Sequence, residues 1–297
     1  MRISILLVLL AAILWGTTGT AQTFAPENAH PIAVGTIRLI IGGFVLLLIV
    51  MSLKQLSLKN WPFKLTIFAS LCMAAYQPLF FSAVNITGVA VGTVVGIGSA
   101  PILSGLIEWL FLKRKPKNVW WLATALSILG CLLLFLNKES ISVHPLGIGM
   151  AIGAGLSFAI FTLISKDVLA KKEPLPAMAV IFSLSGLILS PLLFFFDITW
   201  AFEMRGAFVS LELGIFATGI AYWLYAKGLQ AIPSSTAVTL SLGEPLTATM
   251  LGVFVVGETL TLLSWGGVAL VLLGLVVISL QTEKATNENI IETEKTI

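Results

Sequence analysis

Charge is scarce in this sequence. Lys, Arg, Asp and Glu make up 10% of its 297 residues, while hydrophobic residues make up 58%. Soluble globular domains carry roughly 25% charged residues, so an aqueous globule is excluded. Cysteine is almost absent. Cys72 and Cys131 both fall inside apolar runs, which gives no support to a disulfide framework, and no Cys/His spacing suggests a metal site. Histidine is equally rare. His30 and His144 both lie in connections between apolar runs, far from any acid pair or nucleophile, which argues against a membrane hydrolase or transferase. No complete Gly-x-Gly-x-x-Gly or Walker sequence occurs, so no nucleotide cofactor is expected and ATP-driven transport by this chain alone is disfavoured.

What the chain has instead is long apolar runs. A membrane helix needs about 20 mostly apolar residues. Ten segments meet that need, at 3–23, 31–51, 62–81, 88–112, 119–136, 146–165, 175–196, 206–226, 235–256 and 262–280. An alternative at the start is a secretory signal, because Arg2 is followed by an apolar run and then by small residues at 16–21. Cleavage there would leave nine spans and spoil the internal repeat described next.

That repeat is explicit. Residues 121–130 and 265–274 share the pattern Trp-x-x-x-Ala-Leu-x-x-Leu-Gly at an offset of 144 positions, which also superposes Pro101 on Pro245, Val94 on Val238 and Gly42 on Gly186. Each copy holds five spans. Two direct repeats with an odd number of crossings must insert in opposite orientations, the inverted-repeat plan of secondary transporters. The expected fold is an all-α polytopic membrane protein, with ten transmembrane helices forming two inverted five-helix repeats around a central cavity. The first repeat covers 1–137 and the second 146–281. Residues 282–297, rich in Glu, Asn, Thr and Lys, read as a disordered tail.

Basic residues set the expected orientation. One side carries fourteen of the seventeen Lys and Arg residues: Arg2, Lys54, Lys59, Lys64, Lys113, Arg114, Lys115, Lys117, Lys166, Lys171, Lys172, Lys227, Lys284 and Lys295. The other side has Lys138 and Arg205, and Arg38 lies within a span. The positive-inside rule then puts both termini in the cytoplasm. The repeat breaks where inversion predicts: Lys113-Arg114 corresponds by offset to Gly257-Glu258, on the opposite face.

Ionisable residues within the spans are functional candidates, since each costs roughly 2.5–3.5 kcal/mol to insert at the membrane centre. Glu244 lies too deep in the ninth span to reach either interface, and Pro245 follows it. That proline should leave the Ser241 carbonyl without its helix partner. The matching position in the first repeat is Ala100-Pro101, beside Ser99, so the break is shared while the carboxylate is not. Arg38 can snorkel outward, pair with a carboxylate or receive an anion. Glu108 and Glu212 sit near span ends and are expected at interfaces. Trp15, Tyr76, Gln77, Phe158 and Tyr222 supply aromatic and polar walls for a cavity, with Tyr76 and Phe80 on one helix face. Gly92-x-x-x-Gly96 and Gly149-x-x-x-Gly153 mark possible close helix approaches.

The order of these motifs resembles the EamA-type exporters of the drug/metabolite transporter superfamily. The residues that carry the resemblance are Leu14-Trp15-Gly16, Arg38, Gly243-Glu244-Pro245, Gly257-Glu258 and Ser264-Trp265-Gly266. It covers residues 3–281. It implies two inverted five-helix bundles in the cell membrane (plasma or inner), with the first four helices of each lining a cavity and the fifth peripheral. It also implies export of small metabolites, often amino acids, without ATP hydrolysis. Family members often carry Gly-Glu at the end of the fourth span as well, where this chain has Lys113-Arg114.

The function expected is therefore a secondary transporter that exports a small amphipathic metabolite, such as an amino acid, and is not an enzyme. Its partners are that small molecule and the lipid bilayer, with no nucleic acid. Trp15, Tyr76, Gln77, Ser99, Phe158, Tyr222 and Glu244 are the expected substrate contacts. Arg38, Pro101, Glu244 and Pro245 are the expected coupling or gating residues, with a proton as the possible coupled ion. Multidrug efflux, metabolite import and flipping of a lipid-linked headgroup are the alternatives on the same architecture.

Overall fold

The computed structural model describes residues 2–57, 59–135, 144–257 and 259–296, without the side chains of 89, 90, 135 and 283–296. It contains ten helical rods and, among the described residues, no strand. These are α1 (Arg2–Thr23), α2 (Pro31–Ser52), α3 (Phe63–Thr87), α4 (Val89–Leu112) and α5 (Asn118–Phe135), then α6 (Pro145–Leu169), α7 (Pro174–Phe195), α8 (Met204–Leu229), α9 (Ser234–Val256) and α10 (Leu262–Thr296). Among the described residues, nine are long and apolar enough to cross a membrane, and the remaining one, α5, has a shorter apolar stretch at Asn118–Leu134. Hydrocarbon leaves backbone amides no water to bond, so such runs must satisfy their own hydrogen bonds as helices.

Local signals explain the ends. Pro31, Pro145 and Pro174 open α2, α6 and α7, where a missing N–H costs nothing. Helix α3 continues past the expected end at 81, because nothing breaks it until Gly88 turns the chain at φ 84°. Pro191 tightens the last turns of α7 into a 3-10 stretch, Ser190–Phe195. Helix α10 runs as backbone to Thr296, through the segment expected as a disordered tail. No Pro or Gly follows Gly274 to stop it. Lys113 and Gly257 occupy equivalent places, and both end their helices in left-handed geometry, at φ 57° and φ 82°. The scaffold thus keeps a glycine-type cap where this chain has lysine. Glu258 lies outside the described residues.

The two repeats interlock rather than sit side by side. Helix α6 packs on α3 and α4, as α1 packs on α8 and α9; α2 packs on α7 and α8, as α7 packs on α2 and α3. Helices α5 and α10 pack on each other. Here the repeated decapeptide finds its physical purpose. A Cβ at Gly130 would lie 2.8 Å from the Gly267 carbonyl oxygen and 2.7 Å from the Val271 nitrogen. One at Gly274 would lie 2.7 Å from the Ala123 carbonyl oxygen and 3.0 Å from the Ser127 nitrogen. Ala123 and Ser127 are the offset equivalents of Gly267 and Val271, so the two helices cross about the twofold axis of the repeat. The anticipated Gly149 contact is absent, with nothing within 4 Å of its Cβ position, and α6 instead meets α4 at Gly155, against the Gly96 carbonyl at 2.7 Å.

Gly130→Ala and Gly274→Ala should each force α5 and α10 apart. The expected cost is about 1–3 kcal/mol, an overpacking penalty, read as a lower Tm in detergent. Gly149→Ala should leave Tm unchanged or raised, since it adds a helix former in open space.

Candidate functional site

Three local devices converge on one buried place. The first is Trp15-Gly16 in α1. Gly16 lets α9 come close, because a Cβ there would sit 2.9 Å from the Glu244 carbonyl oxygen and 2.5 Å from the Thr247 Cβ. Trp15 is thereby seated beside Tyr222 at 4.7 Å and edge-on to Phe158 at 5.9 Å.

The second device is in α8, which widens into a π-helical stretch over Glu212–Ile220. Thr218 Oγ1 donates back to the Leu213 carbonyl at 2.8 Å, and its lone pair accepts from Arg38 Nε at 3.1 Å. Such π-helical stretches often mark functional sites. Arg38 is 7% exposed, so it does not snorkel to the surface, and its terminal guanidinium nitrogens have no partner among the described residues.

The third device is the break in α9. The helix runs over Ser234–Leu240, turns irregularly at Ser241 and Leu242, and restarts at Gly243. Pro245 takes away the usual donor to the Ser241 carbonyl, yet that oxygen is not left free, because Glu244 N–H donates to it at 2.9 Å. The tightened turn brings Glu244 to the cavity, where its carboxylate makes no hydrogen bond or ion pair among the described residues.

The cavity they share has a volume of about 70 Å³. Of the sequence candidates, Trp15, Arg38, Tyr76, Gln77, Phe158, Tyr222 and Glu244 line it together. Tyr76 stacks on Phe80 at 5.6 Å, and Phe182 of α7 backs Tyr222 at 4.4 Å. The indole Nε1 of Trp15 and the amide Nε2 of Gln77 are buried without a partner. A buried donor left unmade costs about 1–3 kcal/mol, and neither atom is open to the cavity surface.

Ser99 is not among the lining residues. Its hydroxyl donates to the Gly96 carbonyl at 3.2 Å and fills the α4–α6 contact against Gly155, while the next residue, Ala100, faces the cavity. Pro101 and Pro245 are buried in α4 and α9 without lining it. Thr18, a candidate for the cavity wall from the sequence, lines it too, and so do Gln22, Ile97 and Ser241, which were not among the candidates. Gln22 had a legible signal, since it lies one turn beyond Thr18 on the same face of α1.

Two carboxylates expected at interfaces are placed elsewhere. Glu108 is 5% exposed, and it accepts from Ser234 N at 2.9 Å and from the Ser235 hydroxyl. It therefore caps the start of α9, where the helix dipole favours an anion. Glu212 is half-buried and accepts from Thr17 Oγ1 at 2.7 Å. Span-end position alone hid both roles, because the partners come from the other repeat.

Two interlocked five-helix repeats closed around a polar, aromatic-walled cavity define a polytopic membrane protein with an internal polar cavity. Residues 2–136 and 145–280 each match the EamA-like transporter family, and the chain belongs to that family. It is 52% identical over 279 residues to the uncharacterized transporter YwfM of Bacillus subtilis (strain 168), covering 94% of each chain. It is 31% identical over 271 residues to the threonine/homoserine exporter RhtA of Escherichia coli (strain K12), covering 87% of this chain and 84% of RhtA. A solved crystal structure superposes with a TM-score of 0.83 at 17% identity, over 95% of this chain and 98% of that one, a likeness of fold alone.

Thr218→Val should leave the Arg38 Nε donor buried and unmade, lowering stability by about 1–3 kcal/mol. Thr218→Ser, which keeps the oxygen, should retain wild-type Tm. Melting of the purified protein in detergent compares the two.

Proposed function

We propose that this transporter exports a small zwitterionic metabolite, an amino acid of about the size of threonine, by alternating access without ATP hydrolysis. One observation carries the reading. Arg38 and Glu244 have opposite charges and face the same small cavity, yet they do not pair with each other among the described residues. Arg38 is buried and Glu244 half-buried, and a charge so placed without an ion pair is costly, so the cavity is complementary to a guest that carries both signs. The substrate carboxylate would meet the Arg38 guanidinium, with Gln77 and Trp15 in the wall beside it. The ammonium would meet Glu244. Tyr76, Phe80, Phe158 and Tyr222 would enclose the carbon skeleton.

Cavity size supports a small solute over the alternatives. Its volume of about 70 Å³ falls below the roughly 300–1,000 Å³ typical of drug-sized pockets, which weighs against multidrug efflux and a lipid-linked headgroup. The 31% identity to a threonine/homoserine exporter supports an amino acid as cargo and export as direction. Coupling fits the same site: a proton can neutralise Glu244 when the ammonium leaves, which would let the empty carrier reset. Rocking of one repeat against the other about their twofold would expose the cavity to each side in turn. The excess of Lys and Arg on one side supports a cytoplasmic location for both termini.

The extracellular amino-acid profile of cells expressing wild type, Glu244→Gln or Arg38→Gln at equal membrane levels tests this. Wild type should accumulate a small neutral amino acid outside, with either variant at least about tenfold slower, as the loss of one charged hydrogen bond of about 1.5–3 kcal/mol implies. Equal accumulation with both variants would reduce the pair to packing residues. No difference between wild type and empty vector would overturn export.

Orientation has its own test. A green fluorescent protein fused after residue 297 should fluoresce, and alkaline phosphatase fused there should be inactive. An active phosphatase would reverse the assignment.

A further inference from the structure

A second and larger cavity, which shares no lining residue with the first, lies on the basic side of the bundle. Its volume is about 500 Å³, and it is bounded by the α4–α5 connection, the end of α6, the start of α9 and α10 near Gln281. Four cations line it: Arg114, Lys115, Lys117 and Lys166. Among the described residues the single acid that lines it, Glu108, is already committed to the Ser234 amide and the Ser235 hydroxyl. Lys166 donates to the Ile232 carbonyl and Lys115 rests over the Trp109 ring at 5.4 Å. Arg114 and Lys117 have no side-chain partner among the described residues. The wall also holds Trp120, 2% exposed, whose indole Nε1 is buried without a partner. Concentrated positive charge without a free acid beside it is complementary to an oxyanion.

Its surroundings distinguish the source of that oxyanion. Directly before the basic cluster, α4 ends in Trp109, Leu110, Phe111 and Leu112, which are 40%, 59%, 77% and 48% exposed. In a membrane-spanning bundle this apolar strip faces acyl chains, and the cations that follow it stand at headgroup depth. Basic pockets between helices at this level suit anionic lipid headgroups.

We propose that this cavity is a binding site for an anionic phospholipid, whose phosphate enters between Arg114 and Lys117 while its chains lie along the end of α4. The lipid would tie the α4–α5 connection of the first repeat to the start of α9 in the second. It would therefore hold that end of the bundle closed.

Native mass spectrometry of the full chain in neutral detergent tests the site, with phosphatidylglycerol, phosphatidylcholine and inorganic phosphate as probes. Phosphatidylglycerol should form a one-to-one adduct that phosphatidylcholine does not. The Arg114→Gln/Lys117→Gln variant should bind it about 30-fold more weakly, from about 1 kcal/mol per basic group near a membrane surface. A control removing the same charge elsewhere on that side, Lys54→Gln/Lys64→Gln, should bind as wild type does. Equal weakening in both variants, or none in either, would overturn the site as nonspecific attraction. Saturation by inorganic phosphate in place of lipid would overturn the lipid and leave a soluble anion. Tm measured without lipid confirms that each variant is folded, and the control variant keeps the comparison valid if the cavity variant is destabilised.

Discussion

Close backbone contact between the two repeats is the constraint on which the rest depends. Lipid is as apolar as leucine, so helices in a membrane gain little from the hydrophobic effect when they meet and rely on van der Waals packing at small residues. In this chain the approach occurs where a methyl group would not fit: Gly130 and Gly274 at the α5–α10 crossing, Gly16 against α9, and Gly155 against α4. Each of these contacts joins one repeat to the other. The interface is therefore the core of the protein, and the cavity is the part of that interface left unfilled.

Polar chemistry inside such an interface needs irregular backbone. A regular α-helix uses every interior carbonyl. The π-helical stretch of α8 lets Thr218 bond the Leu213 carbonyl and still hold Arg38. The proline break in α9 lets Glu244 use its own amide on the Ser241 carbonyl while its side chain faces the cavity. Neither device appears at the equivalent place in the other repeat, where α4 remains continuous through Pro101. The scaffold is twofold and the charges are not, so a twofold frame encloses an asymmetric site.

The same division explains what was legible in the sequence. Trp15, Arg38, Gln77 and Glu244 stand out as polar or bulky groups in apolar runs, and burial of such groups demands an interior face. Thr218 gave no such signal, because a single threonine in a membrane helix is ordinary until a guanidinium lies beside it. Ser99 gave a misleading one: a small hydroxyl beside a proline fits a cavity wall or a helix contact equally well, and Gly155 decides for the contact. Glu108 and Glu212 looked interfacial by depth alone, yet partners in the opposite repeat bury one and half-bury the other.

By itself the sequence determined that the chain lies in a membrane, that it forms ten helices, and that these are two copies of one unit in opposite orientations. Hydrocarbon permits few backbone solutions, and an odd number of crossings leaves no choice of relative orientation. Only the tertiary structure decided which side chains meet. The helices are apolar on nearly every face, so hydropathy does not specify their rotation. It is set by glycine contacts between segments more than a hundred residues apart, and those contacts bring Arg38 and Glu244 to one cavity while leaving them unpaired.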